Sequence, residues 1–160
     1  MDKLLKIISE NSSFSTAELS RLLGEPEDYI AAQIKEYEAS GIIRGYRAVV
    51  NWDNVPNSGV LALIELKVAP QLQKGFDEIA ERIMTFDEVE SVYLMAGAYD
   101  LLLTVKGDTI QDVSSFVAKK LAALDGILST ATHFMLKRYK ENGVPLVDTD
   151  ALSDGREMVL

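Results

Sequence analysis

Along the first fifty residues the apolar positions recur at helical spacing. Leu4, Leu5, Ile7 and Ile8 predict a first helix over about Lys3–Glu10, which Asn11-Ser12-Ser13 interrupts. Ser15-Thr16-Ala17-Glu18 then has the form of a capping box, in which the serine hydroxyl and the glutamate satisfy each other's orphan backbone donors. A second helix is expected from about Thr16 to Leu23, with Leu19, Leu22 and Leu23 inward and Gly24 as its stop. A third begins near Pro26, buries Ile30, Ile34 and Tyr37 at i, i+4 and i+7, and ends at Gly41. Ile43–Val50 has strand character, as a wing or as a lead into a linker.

The stretch 51–58 carries no periodicity and reads as a linker, with Trp52 as a packing anchor. From Gly59 the period changes. Val60–Val68 predicts a strand with Glu65 and Lys67 on its exposed face, and Gly75–Met84 an amphipathic helix burying Phe76, Ile79, Ala80 and Ile83. Val89–Ala96 and Tyr99–Lys106 predict two strands turning tightly at Gly97-Ala98. A helix opening at Asp108-Thr109 carries Ile110, Val113, Phe116, Val117 and Leu121, and Ile127–Lys140 predicts a long last strand. The order βαββαβ is that of the ferredoxin-like split unit. The fold class is thus α+β: a helix-turn-helix head, winged if 43–50 pairs, over residues 1–50, then a ferredoxin-like domain over 59–146. Residues 147–160 form a polar, acidic tail.

Composition narrows the chemistry. The chain has no cysteine and one histidine, His133, so disulfides, thiolate metal sites, thiol nucleophiles and histidine-rich metal clusters are excluded. No cofactor or metal is expected. No run reaches the roughly 18 apolar residues of a membrane span, and the first residues lack a signal peptide's apolar core, so a cytoplasmic protein without membrane partners is expected. The net charge is −9, and residues 1–50 hold six Lys/Arg against eight Asp/Glu. A strong non-specific nucleic-acid binder would show a basic face, which this head lacks.

Two constellations carry candidate function. In the first, Ala17–Gly24, a short turn and the Ile30/Ile34 helix form a helix-turn-helix whose second member would enter a major groove of double-stranded DNA. The outer face of that helix holds Asp28, Ala31, Ala32, Lys35, Glu36 and Ala39, so the phosphate anchors are expected to be Arg21, Lys35, Arg44 and Arg47, helped by backbone amides. Binding by one head should be weak and salt-sensitive, and several heads acting together should raise it. A packing or dimerising three-helix unit remains the alternative. The second constellation is Met95-Ala96-Gly97-Ala98-Tyr99-Asp100-Leu101, where a glycine lets backbone groups approach a small zwitterion. The same residues also suit a tight hairpin whose Asp100 caps the turn.

Taken together, the stretch Thr16–Val50, with Glu18-Leu19-Ser20, Gly24 and Glu38-Ala39-Ser40-Gly41-Ile42-Ile43-Arg44-Gly45-Tyr46, resembles the head of the Lrp/AsnC (feast/famine) regulators. Val60–Leu146 is similar to that family's ligand-sensing module through Val89-Glu90-Ser91-Val92-Tyr93, Gly97-Ala98-Tyr99-Asp100 and Ser129-Thr130-Ala131-Thr132. The resemblance implies homodimers formed by the α/β domain, assembled further into octamers or similar rings, and an amino acid or related metabolite bound near the glycine loop. By position, Gly97, Tyr99, Asp100, Thr130 and Thr132 would line that site, with Met95 and Leu101 as apolar wall. Hydroxyls and loop amides suit a carboxylate, and Asp100, or less directly Asp125, an ammonium. The chain departs from the family's better-known members in lacking arginines on its third helix. A branch of similar proteins acts as sirohaem decarboxylases through histidine and basic residues, and His133 keeps that reading open. A co-regulator that assembles without binding DNA is the other alternative.

Overall fold

The computed structural model describes residues 2–69 and 75–147. The chain divides into two compact units. One is Trp52–Arg138, and the other joins the head, up to Asn51, with residues 139–147.

In the head, three helices form around Leu4, Ile8, Leu19 and Ile30, all buried, with Ile7, Phe14, Leu23, Ile34, Tyr37 and Ile43 packed against them. The helices are α1 (Lys3–Glu10), α2 (Thr16–Leu23) and α3 (Glu27–Ala39). Asp2 starts α1 by accepting the Leu5 N–H at 3.0 Å. Its other oxygen accepts the Tyr37 hydroxyl of α3 at 2.9 Å, so one carboxylate both caps a helix and ties it to another. The Leu5 N–H, and after it the Tyr37 hydroxyl, hold the Asp2 carboxyl below the usual range, while the same bond pushes the Tyr37 phenol up. The Ser15–Glu18 capping box opens α2, and the Ser15 backbone N–H lowers the Glu18 carboxyl. Gly24 sits at φ 72°, the left-handed turn that lets α2 stop and α3 leave at a steep angle. Two bonds brace this crossing: Ser20 Oγ donates to the Glu25 carbonyl and Thr16 Oγ1 to Glu27 Oε1, each at 2.6 Å.

The third helix begins beside Pro26, which is its N-cap. Two expectations for the head need correction. Leu22 is 59% exposed rather than inward, and Leu19 and Leu23, one turn apart, are the leucines of α2 that reach the core. Residues 43–50 form no strand: only Ile43 packs on the core, and 44–49 lie exposed with no strand beside them. β-branched sequence becomes a strand only where a partner completes the ladder.

The same unit contains a short hairpin that periodicity missed, β5 (Lys140–Glu141) against β6 (Val144–Pro145), and the expected long last strand stops before it. Its turn is Asn142-Gly143, at φ 44° and 86°, and Asn-Gly is the strongest short hairpin signal in a sequence. Asn51 Nδ2 donates to the Leu146 carbonyl at 2.7 Å and fixes the hairpin to the end of the head. The expected acidic tail lies, from residue 148, outside the described residues.

The second unit begins with a 3-10 turn at Trp52–Asn54, where Trp52 stays 45% exposed. There follow β1 (Val60–Val68), α4 (Asp77–Met84), β2 (Val89–Leu94), β3 (Leu101–Gly107), α5 (Ile110–Phe116) with a π-helical turn at Val117–Leu121, and β4 (Ile127–Phe134). The sheet order is β2-β3-β1-β4 with every pairing antiparallel, the ferredoxin-like arrangement. Ala62, Ile64, Leu66 and Val68 face the helices and bury against Ile79 and Ile83 of α4 and Val113 and Phe116 of α5. Gly59 and Gly107 meet where β1 starts and β3 ends: a Cβ on Gly59, at φ 78°, would lie 2.5 Å from the Gly107 carbonyl oxygen.

The β2–β3 connection is longer than expected. β2 ends at Leu94 and β3 starts at Leu101, so residues 95–100 form an open loop rather than a two-residue turn.

Candidate functional site

On the head, the exposed side of α3 carries Asp28, Ala32, Lys35, Glu36 and Ala39, with Ala31 half-buried. The four candidate cations come from three places. Arg21, on α2, turns its Nε to the Ala17 carbonyl at 3.2 Å and remains exposed. Lys35 stands exposed midway along α3. Arg44 folds back over the end of α3, its guanidinium 3.1 Å from where a Gly41 Cβ would be. A helix C-terminus attracts a cation, so Arg44 has a structural task there. Arg47 lies on the exposed stretch after it. Tyr46, absent from the sequence-derived set, donates its hydroxyl to Glu38 at 2.9 Å. Its phenol is pushed up by burial first and by this bond second. The pair holds the stretch carrying Arg44 and Arg47 against α3.

In the α/β unit the 95–100 loop is braced from its last residue. Asp100 N–H donates to the Leu66 carbonyl at 2.9 Å, and its carbonyl accepts the Met95 N–H at 2.8 Å. Asp100 Oδ2 accepts the Val68 N–H at 2.8 Å, which leaves Oδ1 for another donor. The chain continues from there, since the Ala69 N–H donates to the Gly126 carbonyl at 2.8 Å, beside the exposed Asp125. Loop and strand ends thus gather at one end of the sheet.

The candidate ligand residues fall into three groups. Met95 and Gly97 are exposed on the loop, and Tyr99 and Asp100 are half-buried at its end. Thr130 pairs with Leu66, which also pairs with Leu101, so Thr130 lies two strands from the loop's exit in the same row. Thr132 lies one row further along, opposite Ile64. Both threonines are half-buried and stand on the helix-covered face, at the sheet edge. Leu101 has no exposure and its side chain is enclosed in the core, so it supports the loop from below.

Gly97 is informative for what it lacks. Its φ is not among the positive ones, and a Cβ there would meet no atom within 4 Å. The fold therefore places no demand for glycine at this position, unlike Gly59.

His133 lies on the opposite face of the sheet, paired with Leu63, with Nε2 3.5 Å from Glu65 Oε1. Among the described residues no cluster of three metal-ligating side chains occurs, and no helix is long and apolar enough to cross a membrane.

A family model described as the Lrp/AsnC ligand binding domain matches residues 61–145. The chain belongs to the Lrp/AsnC family. An uncharacterized HTH-type transcriptional regulator, YugG, of Bacillus subtilis (strain 168) is 43% identical over 142 residues, which are 88% of this chain and 86% of the relative. The proline dehydrogenase transcriptional activator of Rhizobium radiobacter is 28% identical, covering 89% of this chain and 90% of the relative. Among solved structures, E. coli AsnC superposes with a TM-score of 0.66 at 23% identity, over 88% of this chain and 95% of AsnC. The regulator NMB0573 of Neisseria meningitidis, in complex with L-Met, gives 0.71 at 24% identity, over 95% and 99%. At these identities the superpositions establish the fold, a helix-turn-helix domain with a ferredoxin-like domain. The Lrp/AsnC chain described here is a transcription regulator of the helix-turn-helix type by its family and its relatives.

Proposed function

We propose that this Lrp/AsnC protein is a DNA-binding regulator whose α/β domain assembles copies and takes an amino acid as effector at the 95–100 loop. The observation that carries the ligand reading is Gly97: glycine stands where neither backbone conformation nor crowding requires it, on an exposed loop. Close approach of a ligand's carboxylate to loop N–H groups would use that bare backbone. Asp100 Oδ1 is the free carboxylate oxygen for an ammonium, Thr130 supplies a hydroxyl in the same row of the sheet, and Met95 an apolar surface. The L-Met complex of the Neisseria meningitidis neighbour supports an amino acid as the ligand class and makes L-Met the first to test.

On the head, α3 enters the groove with Lys35 outward, and Arg21, Arg44 and Arg47 reach phosphates. The acidic residues Asp28 and Glu36 on that surface lower the affinity of one head, so dimers and larger rings supply the rest through multivalency. The chain is read as a regulator rather than an enzyme because its named relatives are regulators. A thermal-shift screen of the amino acids tests the effector reading. A ligand of the native state at 100 times its Kd adds about 2.7 kcal/mol of stability, and no shift with any amino acid would refute it.

A further inference from the structure

The regular ladders on both sides of β1 break at one residue. Pairing with β3 ends at Leu66, opposite Leu101, and pairing with β4 slips between Lys67 and Val68. Asp100 bridges the break on the β3 side. Its N–H donates to the Leu66 carbonyl at 2.9 Å and its Oδ2 accepts the Val68 N–H at 2.8 Å, so it bonds to both chain neighbours of Lys67. Adjacent strands lie roughly 5 Å apart, which makes Lys67 and Asp100 direct neighbours. On its other side Lys67 pairs with Ser129 of β4. Met95 completes the row, since its N–H donates to the Asp100 carbonyl at 2.8 Å.

Leu66 and Val68, on either side of Lys67 in β1, are buried against the helices. Alternation turns Lys67 the other way, and it is exposed, as are Ser129 and Met95. Lys67 forms no ion pair among the described residues. Lys106, the lysine of β3, stands near the far end of the sheet opposite Leu61 and pairs with Glu90 at 3.6 Å.

The row thus holds an apolar side chain, a carboxylate, an ammonium and a hydroxyl in succession. An α-amino acid presents the complementary groups on one carbon. Two opposite charges about one strand apart suit a zwitterion, and a charge-assisted bond to a carboxylate is roughly twice as strong as a neutral one. In a chain of net charge −9, an anionic group needs such a cation more than it would elsewhere.

We propose that Lys67 receives the effector's carboxylate, with the Ser129 hydroxyl as a second donor, and that the site therefore selects neutral α-amino acids with a free carboxylate. That role rests on the effector reading above and gives the site a full positive charge. The ammonium goes to Asp100 Oδ1 and the side chain to Met95. A carboxamide in place of the carboxylate leaves the Lys67 charge unmatched. A second carboxylate, as in aspartate or glutamate, meets apolar Met95 where it needs a donor.

The test is differential scanning fluorimetry of the full chain, titrated with each neutral L-amino acid, with its carboxamide, and with the charged amino acids. Wild type should bind at least one neutral amino acid about tenfold more tightly than its carboxamide, the difference of one charge-assisted bond. Lys67→Met keeps an apolar stem and removes the charge. It should weaken that amino acid about tenfold and leave the carboxamide within about twofold, so the preference disappears. Lys67→Arg should restore the preference, and both variants should melt like wild type without ligand. A preference that survives Lys67→Met overturns the proposal and leaves the effector reading standing. So does a wild type that binds acid and carboxamide alike, or one stabilised only by charged amino acids. A wild type stabilised by no amino acid overturns both.

Discussion

Asp100 Oδ2 accepts the Val68 backbone N–H at 2.8 Å, and this bond joins the candidate ligand loop to the end of the central strand β1. The aspartate therefore has a structural task beside the ligand-binding one proposed for it, and mutation separates the two. Asp100→Ala removes a charge-assisted bond worth about 1.5–3 kcal/mol and should lower the melting temperature. Asp100→Asn keeps an oxygen acceptor for Val68 and should recover most of that stability, yet lose the charge for an ammonium. Calorimetric unfolding with and without amino acid checks both. An Asn variant with full ligand stabilisation would reduce Asp100 to a brace.

Gly97→Ala should leave stability within about 0.5 kcal/mol, as for surface substitutions away from special features, because the new Cβ meets open space. It should weaken the amino-acid-induced thermal shift. Gly59→Ala is the contrasting control: a left-handed φ and a carbonyl 2.5 Å from the Cβ make it destabilising by about 1–3 kcal/mol. Differential scanning fluorimetry of the two variants measures the contrast directly.

Much of this fold is legible in the sequence, because its elements are announced by local signals. The Ser15–Glu18 box, Gly24, and the alternation along β1 all act within a few residues, and the structure has each of them. What was missed depends on distance. Residues 43–50 look like a strand but find no partner strand, while β4 ends at Phe134 because its ladder with β1 runs out there. For the site, only the turn at Gly97-Ala98 was readable: Met95, Tyr99 and Asp100 were expected at strand ends and lie on the 95–100 loop. The enclosure of Leu101, the helix-side facing of Thr130 and Thr132, and the task of Asp100 at Val68 follow from strand register, which one chain's periodicity does not reveal.

Acid should loosen the head through Asp2. Its carboxyl is held low in the folded chain by the Leu5 N–H and the Tyr37 hydroxyl, so its stabilisation is complete above the ordinary carboxylate range. It fades as pH falls below that range and is gone beneath the folded value. Asp2→Asn should flatten this part of the acid-side melting profile, read by circular dichroism between pH 5 and pH 2, and an unchanged profile would contradict it.

Leu19 is 1% exposed at the centre of the head. Leu19→Ala should cost about 2–5 kcal/mol and abolish DNA binding through loss of the α2–α3 crossing. Lys35→Ala, exposed and outside the core, should instead keep the fold and reduce the salt slope of DNA binding by about one.

The most direct test of the regulator reading is fluorescence anisotropy of a labelled duplex taken from upstream of the protein's own reading frame. The titration runs at graded salt, with and without the amino acid that stabilises the chain most. The expected result is binding that weakens linearly in log–log with salt and shifts at least several-fold with the amino acid. No binding at the lowest salt, or binding indifferent to every amino acid, would contradict it.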